Sequence, residues 1–288
     1  MKLLRVGNKG FEKPAVLDKQ GVLRDLSAIV KDIAGDVLLP ECIERLQKLD
    51  LTTLPELPAK QLRIGTPVGG IGKIVCIGLN YTAHAGEVEL DSHAEPPMFG
   101  KWTSAITGPY DDIIIPRGSI KTDWETELAV VIGRPGSYIA EEDALEHVAG
   151  YCVMNDISER FFQLERGPTW VKGKGCDTFA PIGPWLVTRD EIADPQQLHI
   201  WFELDGKRYQ DDSTEKMIYK VPFLISYVSQ FMSLQSGDVI ATGSPVGTGA
   251  GQKPCVFLQA GNKIRFGIDG LGEQEHLMVR TVYDDFNN

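Results

Sequence analysis

The chain has 288 residues, of which 42% are hydrophobic and 24% are charged, a balance that excludes a disordered or fibrous protein. Its formal net charge of −11 argues against a nucleic-acid-binding surface, because phosphate binding needs clustered Lys and Arg. The 5 cysteines are scattered and form no C-x-x-C pair, which argues against a disulfide framework or a zinc knuckle and favours a reducing compartment.

The first part of the chain predicts a small N-terminal α/β domain. Short strands are expected at 3–6, 15–17 and 22–26, because apolar runs there alternate with Gly, Lys and Asp turn signals. A helix follows, with Ile43, Leu46 and Leu49 on one face. The Pro- and Gly-rich stretch 52–73 is typical of a connection between domains. We therefore predict a small domain with its linker at 1–70 and a catalytic domain at 71–288.

The rest of the chain predicts many strands and few helices. Strands are expected at 74–78, 112–116, 127–133, 151–156, 185–187, 199–206, 239–243, 263–268 and 276–282. Helices are expected at 140–150, from 157 onward, and at 221–234. This order indicates a β-rich α+β fold. Phosphate-loop and dinucleotide motifs are incomplete. With no secretory h-region and no apolar run of about 18 residues, the sequence predicts a cytoplasmic protein without a membrane partner.

The segment DWETELAVVIG places two carboxylates at the start of an apolar strand. Alternation puts Glu125 and Glu127 on one face and Leu128 and Val130 on the other. Neighbouring carboxylates repel each other unless they are solvated, protonated or neutralised by a cation. A solvated sheet edge would explain a lone E-x-E, but the apolar run that follows favours a partly buried pair and a metal.

A second polar group follows the strand-like YCVM. Asp156, Arg160 and Gln163 are spaced so that a helix beginning here would present them on one face. Asp156 could cap that helix with Arg160 as its ion-pair partner, or it could be a third metal ligand. Three carboxylates without a Cys or His ligand pattern favour a hard cation, Mg²⁺ or its alternative Mn²⁺, with coordination sites left for substrate.

In order along the chain, these motifs resemble the fumarylacetoacetate hydrolase family. The resemblance rests on E-x-E, D-x-x-x-R-x-x-Q and K-x-x-D-T, and it runs from about residue 71 to residue 282. The further matches are GLNYTAHAGEVEL (78–90), PPMFGKW (96–102), KGCDTFAPIGPWLV (174–187) and ATGSPVGTG (241–249). The resemblance implies the family's mixed β-roll or barrel with a small N-terminal domain, as in the bacterial diketo-acid hydrolases. It also implies a homodimer.

The same resemblance implies roles for individual residues. Glu125, Glu127 and Asp156 match the family's Mg²⁺ ligands, and Lys174 matches the lysine that contacts substrate and the developing enolate. Arg160 and Gln163 match polar substrate contacts of the family, and Ser244 supplies a hydroxyl where the family often has threonine. His84 and Glu87 match a His–Glu pair that positions and deprotonates water.

We therefore predict a Mg²⁺-dependent hydrolase that splits a 2,4-diketo acid into pyruvate and a carboxylic acid, with a sugar-derived acid as the preferred class. The metal would act as a Lewis acid on the enolate. Oxaloacetate decarboxylation and hydration or isomerisation of an unsaturated 2-oxo diacid use the same enolate chemistry and stay open. Ureidoglycolate lyase activity and a non-catalytic binding protein are less favoured, the latter because the ligand set is complete.

Overall fold

The computed structural model describes residues 1–81, 95–167 and 169–282, and its strand-rich, mixed sheets confirm the predicted α+β class. The strands of the first half are β1 (Lys2–Val6), β2 (Lys13–Leu17), β3 (Leu23–Asp25), β4 (Ile74–Ile77), β5 (Met98–Lys101), β6 (Ile106–Thr107), β7 (Ile113–Ile115), β8 (Thr122–Asp123) and β9 (Thr126–Ile132). Those of the second half are β10 (Val148–Asn155), β11 (Ser158–Glu159), β12 (Ala180–Thr188), β13 (His199–Leu204), β14 (Lys207–Ser213), β15 (Val239–Ala241), β16 (Lys263–Ile268) and β17 (Gly272–Arg280).

Helices are short and lie between the strands. Within the described residues, the α-helices are α1 (Pro40–Gln47), α2 (Val171–Lys174) and α3 (Val221–Ser229), and Phe161–Glu165 forms a π-helical turn. The 3₁₀ turns are Gly35–Leu38, Leu51–Thr53, Ala59–Gln61, Thr103–Ala105, Glu141–His147, Arg189–Glu191 and Thr214–Lys216. Across the described parts of the chain, no helix has the length and apolarity needed to cross a bilayer.

The largest sheet has the order β3-β2-β1-β12-β10-β9-β15-β4-β5, with β6 beside β12. Its central strands β9 and β10 are buried along their whole length, which explains their nearly continuous apolar sequences. Because β1 pairs antiparallel with β12, the N-terminal strands extend this sheet. The division of the chain near residue 70 stays a prediction.

A second sheet, β14-β13-β16-β17-β7, packs against the first and closes the core. Trp124, just before β9, stacks on Phe202 of β13 with ring centroids 4.6 Å apart. The hairpin β13–β14 was not predicted as a pair, because the polar sequence of β14 carries no strand signal. This hairpin places the buried side chain of Gln210 beneath the end of β15.

The helix predicted from residue 157 is wrong. Ser158 and Glu159 instead pair with Asp123 and Thr122 as the two-stranded ladder β11–β8, and only Phe161–Glu165 turns helically. The Glu159 carboxylate is buried and accepts hydrogen bonds from Thr122 Oγ1 (2.9 Å) and the Lys121 amide (2.9 Å). These tertiary contacts hold the segment extended, against its helical spacing.

Candidate metal centre and substrate cavity

Three carboxylates meet at one end of the β9–β10 pair. Oxygens of Glu125, Glu127 and Asp156 all lie within 4.8 Å of one another, and all three residues are buried. Asp156 follows the end of β10, and its amide donates to the Glu125 carbonyl at 2.7 Å. Asn155 Oδ1 accepts from the Glu125 amide at 2.9 Å. The backbone of two adjacent strands therefore fixes where the carboxylates converge.

Two buried lysines neutralise part of this charge. Lys174 Nζ bridges Glu125 Oε2 at 2.5 Å and Asp156 Oδ2 at 2.6 Å. Lys101 Nζ donates to Asp156 Oδ1 at 2.5 Å and to the Ile157 carbonyl at 3.0 Å. Burial opposes the charge on Lys174, but the carboxylates of Asp156 and Glu125 outweigh it and raise the pKa of this ammonium. Lys174 is therefore cationic at neutral pH.

Arg160 is bound to the cluster through Asp123 and Glu125 and not through Asp156. The ion pair between Asp156 and Arg160 that the sequence suggested is therefore not formed. Arg160 Nε donates to Asp123 Oδ2 at 2.8 Å and its Nη2 to Glu125 Oε1 at 2.7 Å. Its Nη1 donates to Gln163 Oε1 at 3.0 Å. Asp123 and Glu125 raise the pKa of Arg160 against the effect of its burial. The guanidinium therefore orients both a candidate metal ligand and a candidate substrate-binding amide.

Glu127 differs from the other two carboxylates in its partners. Its Oε2 accepts from the Gly243 amide at 2.9 Å, and no lysine or arginine in the described ranges lies within 4 Å of it. Burial, with the nearby charges of Asp156 and Glu125, raises the pKa of Glu127 well above its usual value. Ionised Glu127 is thus the carboxylate that most needs a further cation.

The residues present fit a hard divalent cation. They offer only oxygen ligands, one oxygen of each lies within 4.8 Å of the others, and their charge is incompletely balanced. Both oxygens of Asp156 already accept from lysines, but each carboxylate oxygen can accept a second contact. Glu125, Glu127 and Asp156 would hold the ion.

The cluster forms one wall of a cavity of about 360 Å³. Six of the predicted site residues line this cavity: Glu125, Glu127, Arg160, Gln163, Lys174 and Ser244. Asp156 does not line it, because it lies behind Lys174, which donates to its carboxylate. Ser244 follows β15 and Gly243, whose φ of +94° is suited to glycine and lets the chain pass Asn80. His84 and Glu87, the predicted water-activating pair, lie outside the described residues.

Part of the cavity wall is apolar. The rings of Phe99 and Trp170 meet edge to face with centroids 5.3 Å apart, and Lys174 Nζ lies 5.0 Å from the centre of the Phe99 ring. Trp170 also packs over the backbone of Gly78, where an added Cβ would come within 2.9 Å of the indole. The aromatic side chains thus adjoin the charged cluster and give the cavity an apolar surface beside it.

Three buried residues of this site were missed by the sequence reasoning. Lys101 lies within the PPMFGKW match, but nothing in that motif indicates its role. Asp123 shares the alternate spacing of Glu125 and Glu127, and this signal could have identified it. Gln210 gives no sequence signal, because only the fold brings β14 beneath Ser244.

Comparisons with known proteins identify a matching family and similar proteins. Residues 73–279 match the family described as fumarylacetoacetate (FAA) hydrolase, C-terminal. A protein of Burkholderia multivorans described only as a "putative hydrolase" is 58% identical over 278 residues, covering 96% of this chain and 98% of that protein.

Solved structures extend the similarity to the whole fold. Fumarylacetoacetate hydrolase from Exiguobacterium antarcticum is 34% identical, with a TM-score of 0.85, over 98% of this chain and 100% of that chain. Maleylpyruvate hydrolase from Sphingobium sp. SYK-6, solved with manganese(II) and pyruvate, is 28% identical, with a TM-score of 0.81, over 97% and 99%. A 2-hydroxyhepta-2,4-diene-1,7-dioate isomerase from Mycobacterium marinum is 30% identical, with a TM-score of 0.77, over 98% and 99%.

Proposed function

The chain belongs to the fumarylacetoacetate (FAA) hydrolase family, and from this premise we propose that it is a divalent-metal-dependent hydrolase of 2,4-diketo acids. It would release pyruvate and a carboxylic acid from an acylpyruvate. The observation that carries the proposal is the buried carboxylate cluster, which opens with Lys174 and Arg160 into one cavity. The similar maleylpyruvate hydrolase, which holds manganese(II) and pyruvate, supports it.

The charges of the described site favour an anionic ligand. Four buried carboxylates face three buried cations, and these groups are Asp123, Glu125, Glu127, Asp156, Lys101, Arg160 and Lys174. One negative charge is left over, so a divalent ion would leave one positive charge. The carboxylate of a 2-oxo acid would balance it, and uncompensated charge is costly in a buried site.

Magnesium, with manganese as the alternative, would supply Lewis-acid stabilisation of a developing enolate when bound. Lys174, fixed by two carboxylates, would place its ammonium beside the same negative charge. Gln163, held at its Oε1 by Arg160, keeps its amide NH₂ to donate to substrate oxygen.

The proposed reaction needs a water molecule and a base. His84, oriented by Glu87, would take a proton from water as the oxygen adds to the C4 carbonyl carbon. The bond between C3 and C4 then breaks, its electron pair forms the enolate of pyruvate, and the proton is returned to C3. General-base assistance of this kind contributes about 10²–10⁴-fold.

The test is pyruvate release from a panel of acylpyruvates, with oxaloacetate in parallel, in Mg²⁺, in Mn²⁺ and in EDTA. We expect metal-dependent formation of equal amounts of pyruvate and carboxylic acid. Carbon dioxide release from oxaloacetate alone would instead identify a decarboxylase. Reaction only with an unsaturated 2-oxo diacid would favour the isomerase or hydratase alternative, which the similarity to the M. marinum isomerase makes the second candidate.

The panel should compare acyl groups matched in shape. Isobutyrylpyruvate and lactoylpyruvate differ by a methyl group in place of a hydroxyl group, so their ratio of kcat/KM decides between an alkyl tail and the sugar-derived tail that we prefer. We also propose a homodimer in the cytoplasm. Light scattering after size exclusion tests the dimer, and cell fractionation tests the location.

A further inference from the structure

We infer that Gln210 is a positioning residue that makes the Ser244 hydroxyl a hydrogen-bond donor to an anionic oxygen of the substrate. This inference rests on the proposed function, since it names how one residue of the same cavity meets its ligand. Gln210 lies on β14, in the second sheet, and its side chain is fully buried. It therefore acts through Ser244 and does not itself line the cavity.

The orientation of the Gln210 amide is fixed by three contacts. Its Oε1 accepts from the Thr126 amide at 3.1 Å, which assigns the oxygen to that side. Its Nε2 then donates one hydrogen to Ser244 Oγ at 2.7 Å and the other to the Pro245 carbonyl at 2.9 Å. Both hydrogens and the oxygen are used. Rotating the amide by 180° would turn its NH₂ toward the Thr126 N–H and its oxygen toward the Pro245 carbonyl, so these two contacts fix the orientation.

This arrangement decides the polarity of Ser244. A hydroxyl that accepts from an amide keeps one hydrogen of its own to donate. Within the described parts of the chain, Ser244 Oγ makes only the hydrogen bond from Gln210, and the residue lines the cavity. The hydrogen is therefore available to a ligand, and a hydroxyl held as a donor favours a negatively charged oxygen.

The surroundings keep the hydroxyl in place. Gly247 approaches β14 so closely that an added Cβ would lie 2.1 Å from the Tyr209 carbonyl oxygen, and its φ is +101°. Trp124 Nε1 donates to the Gly247 carbonyl at 3.1 Å. Thr126, which orients Gln210, stands between the candidate metal ligands Glu125 and Glu127. One amide thus fixes the donor relative to the metal ligands.

The experiment is a double-mutant cycle with Ser244→Ala, Gln210→Met and the double variant. Each single change is expected to raise KM for the cleaved acylpyruvate about 10- to 100-fold, the loss expected for a hydrogen bond to a charged group. The change in kcat is expected to be smaller, because the substrate carboxylate is anionic before and during the reaction. The double variant is expected within about twofold of Ser244→Ala, because Gln210 acts through that hydroxyl.

The chain offers a matched control in Gln274. It is equally buried, and its Nε2 also donates to two acceptors, the carbonyls of Val153 and Gly183 at 2.8 and 3.3 Å. Gln274→Met loses comparable hydrogen bonds and is expected to leave KM unchanged. If Gln210→Met does not fold, Gln210→Glu takes its place, since it keeps the side-chain length and the acceptor for Thr126. Ser244→Thr keeps the hydroxyl and is expected to stay within about threefold of the wild type.

Additive losses in the cycle, or an equal rise in KM for Gln274→Met, would overturn the inference and leave the proposed function standing. If the wild-type chain cleaves no acylpyruvate, the proposed function fails, and the same cycle is run on the Kd of oxalate by calorimetry in Mg²⁺. Non-additive losses there would support the donor role of Ser244. Additive losses, or no binding of oxalate, would overturn it.

Discussion

Replacing Glu127 with glutamine is expected to stabilise the metal-free protein while removing its response to metal. One Glu127 oxygen lies within 4.8 Å of an oxygen of Glu125 and of an oxygen of Asp156. At an effective dielectric constant near 20, each pair of charges at that distance repels by about 3 kcal/mol. Glu127→Gln removes this repulsion and keeps an acceptor for the Gly243 amide.

Part of the repulsion is already offset by Lys174 and Lys101, so we expect a net gain of about 1–3 kcal/mol, which raises Tm by about 2–6 °C. The stability gained by Glu127→Gln should increase as pH rises. Because the pKa of Glu127 in the fold is raised above 4.5, the wild-type protein loses stability as pH rises from about that value through the raised pKa. The advantage of the variant is therefore expected to grow from about pH 4.5 upward.

Thermal unfolding in EDTA and in Mg²⁺, at pH 6 and pH 8, measures both effects. A metal at about 100 times its Kd stabilises the wild type by about 2.7 kcal/mol, and this increment should be lost in Glu127→Gln. Asp123→Asn is the contrasting control. Its carboxylate accepts from Arg160 and from the Gly249 amide at 2.6 Å, so its loss should lower Tm. A lower Tm for metal-free Glu127→Gln, or an undiminished metal response, would refute this reasoning.

Three other substitutions test the site. Lys174→Met should lower kcat at least about 100-fold and reduce stability by about 3–5 kcal/mol, because it removes the cation that Glu125 and Asp156 share and leaves a further uncompensated negative charge in the buried cluster. Exposed Lys172→Met should change neither in paired kinetic and unfolding assays. Gly243→Ala should cost about 1–3 kcal/mol and weaken the metal response in calorimetry, since its φ is +94° and the new Cβ would meet Asn80 at 2.8 Å. Trp170→Ala should lower kcat/KM about tenfold for isobutyrylpyruvate and less for lactoylpyruvate; equal losses would argue against an apolar tail surface.

The sequence was most informative where structure depends on local pattern. The apolar runs of β9 and β10 predicted strands, and E-x-E at the start of β9 predicted two partly buried carboxylates on one face. The helix expected after Asp156 failed, because the buried carboxylate of Glu159 and its hydroxyl partners hold that segment as a strand. The local spacing of residues does not predict such partners, because they lie about forty residues earlier in the chain.

The same limit applies to the supporting residues. Lys101 is an ordinary lysine in the sequence, and only the pairing of β5 with β4 brings it to Asp156. Gln210 contacts Ser244 because β14 passes beneath the end of β15. The pattern of the chain therefore predicted the groups that form the carboxylate cluster and line the cavity better than the groups that orient them.

The strand order of the large sheet has a consequence for how the protein folds. β4 pairs in parallel with β15, joining Ile74 to Val239 across most of the chain, and β15 then pairs with β9. Such distant pairings require costly loop closure before they are stabilised, which slows folding. The Gly243 amide reaches Glu127 only after β15 has docked, so we expect the proposed metal site to be completed late. Magnesium in the refolding buffer should therefore leave the folding rate nearly unchanged and act mainly by slowing unfolding.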